Sequence, residues 1–274
     1  NRDDEITTKP LDFDEVPIFN TTSGYGNAIL PGVLVLILQQ TLLLGIGLSA
    51  GTAREKNRYQ NLVPIEKHYN GIFRIVLGKS AAYFALYMVM AAYITLCVPR
   101  MFHFVSLVTA QTLIGLMVPF LLAVIFFGLT MSCLVRYREN VMLLVVFTSV
   151  PLLFMTGISW PQSNIPWFWE AFSWIFPSTF GVRGFLRISS MGATLPDIKV
   201  EYQALWIQAL VYFFTACIVY RYQIILSHKR ARARLKQMKE GKAATQSHGN
   251  GLGQGSTSPY EDKAKGETAN KVSE

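Results

Sequence analysis

The sequence predicts an all-α, polytopic membrane protein: a bundle of transmembrane helices, five of them present, with a re-entrant helical hairpin on the outer side. Three observations predict it. Half of the 274 residues (51%) are hydrophobic and only 15% are charged, against about 25% charged in an average soluble domain. The charges are segregated, with none from Val16 to Ala53, Ser80 to Pro99, Met101 to Val135, Asn140 to Trp169 or Tyr202 to Tyr220. Each of these runs can hold the roughly 20 apolar residues that a helix needs to cross a bilayer. The run Leu143-Leu144-Val145-Val146-Phe147 has no polar stripe to turn toward water, as a surface helix of a soluble domain would.

Taken in order, residues 1–28 form an acidic segment carrying Asp3, Asp4, Glu5, Asp12, Asp14 and Glu15. The spans fall near 29–50, 79–98, 107–131, 141–157 and 203–222, so that 29–226 make up the membrane domain. The fourth is the shortest and contains Pro151, which a membrane helix tolerates when its neighbours satisfy the freed carbonyl. The segment from Arg54 to Pro64 mixes charge with apolar residues. It reads equally well as a short amphipathic helix on the membrane surface or as a solvated loop. The segment 158–201 opens with Trp160, Pro161, Pro166, Trp167, Trp169, Trp174 and Pro177, and has one charge, Glu170, up to Phe180. That is too apolar for a free loop and too broken by proline for a full span. Two short helices dipping into the outer leaflet fit it, either as part of a path or as an interfacial aromatic anchor. Residues 227–274 are basic and then, after Lys242, rich in Gly, Ser and Thr. That composition predicts a disordered end.

Lys and Arg mark the cytoplasmic side of a membrane protein. Counting up to Lys242, sixteen of them lie between spans one and two, between spans three and four, and after span five; six lie on the opposite side. This predicts the amino end outside and the carboxyl end in the cytoplasm. The net charge of +8 therefore records orientation and is no surface for nucleic acid. An outside amino end with no initiator Met and no leader leads us to expect a fragment whose upstream part holds a first span, six in all.

The residues offer little chemistry. Gly78-Lys79-Ser80 ends like a phosphate-binding loop, but Phe73 stands where the loop needs its first glycine, and Lys79 is expected to snorkel toward the inner surface. The four His and three Cys have no metal-ligand spacing. No nucleophile or acid–base pair is apparent, so we expect no catalytic residue, no metal and no cofactor bound by this chain. Gln39, Gln40, Thr41, Gln111, Thr112, Thr130 and Gln208 are the polar groups within spans. They line a path or bond between helices, and the second use is the commoner.

Four stretches, in this order, resemble the membrane subunit of type-2 ABC exporters, in particular the bacterial multidrug or lipid-linked efflux group. They are Phe19-Asn20 with Leu30-Pro31-Gly32; Arg54-Glu55-Lys56-Asn57-Arg58-Tyr59-Gln60-Asn61-Leu62; Gly78-Lys79; and Gly157-Ile158-Ser159-Trp160-Pro161 with Ile165-Pro166-Trp167 and Phe176-Pro177. Arg183, Arg187 and Gly192 follow where the family often has Arg and Gly. Asn57, Arg58 and Gln60 depart from the family's usual Gly, Thr and acidic residue. The resemblance implies a permease of the bacterial inner membrane that pairs with a second copy or a paralogue. It implies a separate cytoplasmic ATPase that carries ATP and Mg. It implies a coupling helix at Arg54, Glu55, Lys56, Arg58 and Leu62. It also implies an outer re-entrant gate at Gly157, Trp160, Pro161, Pro166, Trp167 and Pro177. Cargo would be hydrophobic or amphipathic: a drug, a lipid or a lipid-linked glycan. The alternatives are a membrane scaffold that moves nothing and, less well supported, a membrane enzyme acting on lipids.

Overall fold

The computed structural model of the chain describes residues 25–55, 71–102, 106–132, 137–158 and 165–252. Among these residues there are helices and turns and no strand. We label the helices α1 (Tyr25–Glu55), α2 (Ile72–Ala92), α3 (Val98–Met101), α4 (Ala110–Met131), α5 (Arg138–Met155), α6 (Trp167–Ser173), α7 (Pro177–Met191) and α8 (Lys199–Leu252). Five segments are long and apolar enough to cross a membrane: Ile29–Glu55, Ile72–Met101, Ala110–Met131, Arg138–Met155 and Lys199–Leu226. The acidic segment before Tyr25, the inner segment 56–70 and the end of the tail lie outside the described residues.

α1 is the hub, with α4, α5 and α7 all packed on it. One buried stripe of α1 (Gly32, Leu36, Gln40, Leu43, Gly47 and Gly51) recurs every three or four residues. Its glycines are where neighbours come closest. A β-carbon on Gly47 would stand 2.5 Å from Val141, and one on Gly51 would stand 2.9 Å from the Cα of Arg138. Small residues permit such approach between membrane helices. The two contacts also show that α5 runs antiparallel to α1, since 141 pairs with 47 and 138 with 51.

α4 is buried nearly all round, including Leu116, Phe120, Leu121, Val124 and Ile125, each fully or almost fully covered. α5 is the opposite case. It buries Val141 and Leu152 and exposes Leu143, Val146, Phe147, Val150 and Phe154 along one side. An apolar stripe on the outside is what a helix facing hydrocarbon presents.

α2 is followed by a widened π-turn, Tyr93–Cys97, and then by α3, which carries Pro99. Pro99 has no N–H, and its ring would meet the carbonyl four residues earlier in a regular helix. The wider turn relieves that contact. α2 begins at Ile72, earlier than the sequence suggested, so Arg74 is helical rather than part of a loop. Lys79 turns its ammonium to Tyr220, with Nζ 3.5 Å from the hydroxyl and 5.1 Å from the ring centre.

The residues from Ile225 onward form a second unit. The sequence predicted disorder after Lys242; instead, helix continues through Leu252. Lys, Arg, Ala, Gln and Met favour helix, and extending an existing helix avoids the cost of nucleating one. Within this unit Lys236 and Glu240 form an i,i+4 ion pair at 4.0 Å.

α7 lies against α4 by the same device as α5 against α1. A β-carbon on Gly181 would stand 2.3 Å from the ring of Phe120. Gly181→Ala should therefore cost about 1–3 kcal/mol of stability through overpacking, read as a lower thermal midpoint in detergent. Gly78→Ala, where a β-carbon meets nothing within 4 Å, should leave the midpoint unchanged or raise it slightly. Equal effects at the two sites would show that the α4–α7 contact is not as close as described.

Candidate functional site

The most unusual element is the hairpin formed by α6 and α7. Gly157 ends α5 with a left-handed backbone, φ 80°, a conformation that glycine adopts at no steric cost. After it, Pro166 starts α6 by accepting the N–H groups of Trp169 and Glu170 on its carbonyl. Pro177 then opens α7 at its first turn, where its missing N–H removes a donor that would have had no helical partner.

The contacts of α7 with α4 give its depth. Phe176 packs edge-on against Phe127 with ring centres 5.7 Å apart. Gly181 meets Phe120, and Gly184 meets Leu116. The pairs run in opposite directions along the two chains, so α7 is antiparallel to α4, with its amino end the deeper one. Phe127 is seventeen residues into α4, about 25 Å along its axis. The tip of the hairpin thus packs more than halfway along α4, inside the bundle. The physical reason is the pair Gly181 and Gly184, which lets α7 seat along α4 over most of its length.

A chain reversal at that depth leaves backbone carbonyls with no helical partner, which is costly in an apolar medium. α8 supplies the donors. Gln208 Nε2 donates to the carbonyl of Trp174 at 2.6 Å, and the hydroxyl of Tyr212 donates to the carbonyl of Ile175. Thr179 Oγ1 donates to Ser173 at 2.7 Å. Nearby, Thr130 and Thr215 bring their hydroxyls within 3.1 Å and join α4 to α8. Gln208 and Thr130 therefore bond between elements. Gln39 and Gln40 are buried on α1, with amides that reach no partner among the described residues.

At its shallow end α7 stops at Gly192, which is left-handed at φ 63°. Gly192 and Ala193 return their N–H groups to Ile188 and Arg187, a common helix ending. Arg187 Nη1 pairs with Glu201 Oε1 of α8 at 2.9 Å, and that carboxylate is only 7% exposed. The turn before α8 is closed by Asp197, whose Oδ2 accepts the N–H of Thr194 at 2.8 Å and its hydroxyl at 2.6 Å. Those hydrogen bonds, side chain first, hold the Asp197 carboxyl below its ordinary pKa.

The opposite end of the bundle carries the other predicted residues. Arg54 and Glu55 are the last residues of α1. Glu55 Oε1 accepts the backbone N–H of Arg138 at 3.1 Å, and Oε2 stands 3.8 Å from its Nε. Glu55 therefore caps the start of α5, where a carboxylate is favoured by the helix dipole. Lys56, Arg58 and Leu62 lie outside the described residues, as do Trp160 and Pro161. Among the described gate residues, Pro177 is buried at the deep end, whereas Pro166 and Trp167 are exposed, Trp167 by 80%. They mark the two limbs of the hairpin rather than one cluster. Sequence reasoning missed Phe176, Gly181, Gly184, Gln208 and Tyr212 as the residues that seat it. The spacing Gly181-x-x-Gly184 was the available signal.

A family model described as ABC-2 family transporter protein matches residues 1–218. No curated protein and no solved structure gives a significant match.

Two measurements test the site. Tyr212→Phe removes the donor to the Ile175 carbonyl and should cost about 0.5–1.5 kcal/mol, the net contribution of one hydrogen bond. It should also make the 174–176 turn more open to proteolysis; an unchanged cleavage rate would sink the seating role of Tyr212. Asp197, with its folded pKa depressed, stabilises the turn above its unfolded pKa. That stabilisation is lost as pH falls through the folded value. The thermal midpoint should fall with acid over that window in the parent chain, with a smaller fall in Asp197→Asn.

Proposed function

The chain belongs to the ABC-2 family of transporter proteins, and from that premise we propose that it forms the membrane path of an ATP-driven exporter for hydrophobic or amphipathic molecules. It is an integral membrane protein and, by family, a membrane transport subunit of an ABC transporter. The finer reading adds direction, cargo and machinery. Two permease copies, or one copy and a paralogue, stand in a bacterial inner membrane with the Glu55 end toward the cytoplasm. A separate ATPase binds ATP and Mg there, and this chain binds no cofactor of its own.

The observation that carries the reading is the family match over residues 1–218. The depth of the hairpin supports a gate on the exit side. Its tip at Phe176 packs on Phe127 within the bundle, so displacing α7 would uncover the faces of α1 and α4 on which it packs. The apolar character of the surrounding side chains suits cargo without strong hydrogen-bonding needs. The basic residues concentrated beyond Ile225 and around Arg54 and Arg138 agree with a cytoplasmic Glu55 end by the positive-inside rule.

Coupling is assigned to Arg54, Glu55, Lys56, Arg58 and Leu62. Glu55 would do double work here, since its carboxylate already holds the start of α5. Movement imposed on residues 54–62 by the ATPase would pass through Glu55 to α5 as well as along α1.

The test is co-purification with the soluble ATPase and transport-dependent ATP turnover. Lys56→Ala should weaken docking and lower turnover several-fold without changing the thermal midpoint. Glu55→Ala should lower both turnover and midpoint, because it also frees the amino end of α5. Unchanged docking and turnover in both variants would make the coupling assignment wrong.

A further inference from the structure

A slot between α4 and α5 is used by none of the roles assigned so far. Both helices pack on α1 and scarcely touch each other. The space between them has Leu43 and Gly47 of α1 as its floor, and Phe176, at the hairpin tip, closes its deep end. It is partly enclosed and holds about 160 Å³. A dry cavity of about 150 Å³ lined by apolar side chains is known to accept benzene, so the enclosed part suits a ring or a short length of hydrocarbon chain.

The walls decide the chemistry of the occupant. Two hydroxyls border the slot, and both are spent on the protein's own backbone. Ser132 donates to Leu129 at 2.5 Å, and Thr148 donates to Leu144 at 2.7 Å. The remaining lining side chains, such as Met131, Val145 and Leu152, are apolar. A polar ligand would lose its water and gain nothing in return; a hydrocarbon chain would gain by burial.

The slot runs along α5 from Val141 to Leu152, about 16 Å. Arg138 stands one turn beyond Val141, at the first residue of α5. Its side chain is 61% exposed. Among the described residues its one ion-pair partner is Glu55, at 3.8 Å from Nε, while Glu139 follows it in the same turn. The dipole of α5 adds positive potential at this end. An apolar slot thus leads to an exposed guanidinium at the level where the membrane-spanning part of α5 begins.

We propose that the slot binds one acyl chain of an anionic phospholipid, with the lipid phosphate against Arg138. The chain end abuts Phe176, so the bound lipid bears on the tip of the hairpin from below. This site rests on neither the ATPase nor the cargo assigned above, and its test uses the full chain alone.

The purified chain is reconstituted with phosphatidylglycerol carrying a diazirine at the end of one acyl chain, illuminated, and mapped at residue level by mass spectrometry. A diacylglycerol with the same chains serves as the neutral comparison. We expect label on Met131, Val145 and Leu152 to exceed that on Val146 and Phe147 several-fold. Thr148→Phe fills the slot and should reduce the slot label several-fold with both lipids. Arg138→Gln should reduce it several-fold for phosphatidylglycerol and leave diacylglycerol labelling unchanged. Even labelling of the slot and of Phe147, insensitive to Thr148→Phe, would mean ordinary boundary lipid and overturn the site. Full phosphatidylglycerol labelling in Arg138→Gln would overturn the phosphate contact. Should Thr148→Phe fail to fold by circular dichroism and gel filtration, Leu144→Trp fills the same space and is judged by the same outcomes.

Discussion

Close approach to two helices is the constraint on which the rest of this structure depends. Lipid tails are as apolar as the helices they surround, so burial alone does not drive membrane helices together. Contact must be tight enough for dispersion to accumulate. α1 meets this need with glycines on one stripe, and α7 meets it with Gly181 and Gly184 toward α4. Where the glycines are, neighbours come to within backbone distance, as Arg138 does over Gly51. Where no such approach exists, between α4 and α5, a slot is left. The pattern of contact and vacancy follows from where the small residues stand.

The hairpin shows how an irregular backbone survives inside such a bundle. Its turn is satisfied by side chains of a different helix, Gln208 and Tyr212 of α8. At the shallow end the same helix holds α7 through Glu201 and Arg187. α7 is thus tied to α8 at both ends and packed on α4 along its length. The buried carboxylate of Glu201 has a guanidinium partner that is half exposed, an arrangement in which only one of the two charges gives up most of its water.

The helices were legible because charge-free runs of spanning length admit few other readings. The hairpin was legible as an apolar, proline-broken segment, but its depth was not. Depth depends on Gly181 meeting Phe120 and Gly184 meeting Leu116, pairs about sixty residues apart that periodicity within one helix does not connect. Glu55 is a related case. It was read from a local motif as a contact for a partner, and its bond to the Arg138 backbone involves a residue beyond two intervening membrane spans. Lys79 likewise looked like a snorkelling cation, although Tyr220 gives it a partner from the last span. Of the tail, whose glycines and serines suggested disorder, residues 243–252 prolong a helix already running from Lys199, and the rest lies outside the described residues.

The bonds from Gln208 and Tyr212 also bear on how the protein is made. The turn at Trp174–Phe176 leaves the ribosome before the residues that satisfy it, which lie more than thirty positions further on. Until they arrive, its carbonyls have no partner in hydrocarbon and are better left near water. The hairpin can therefore reach its final depth only after the last span has entered the membrane. Seating it is a late, assembly-completing event, and a chain cut before Gln208 would present the hairpin at the surface rather than within the bundle.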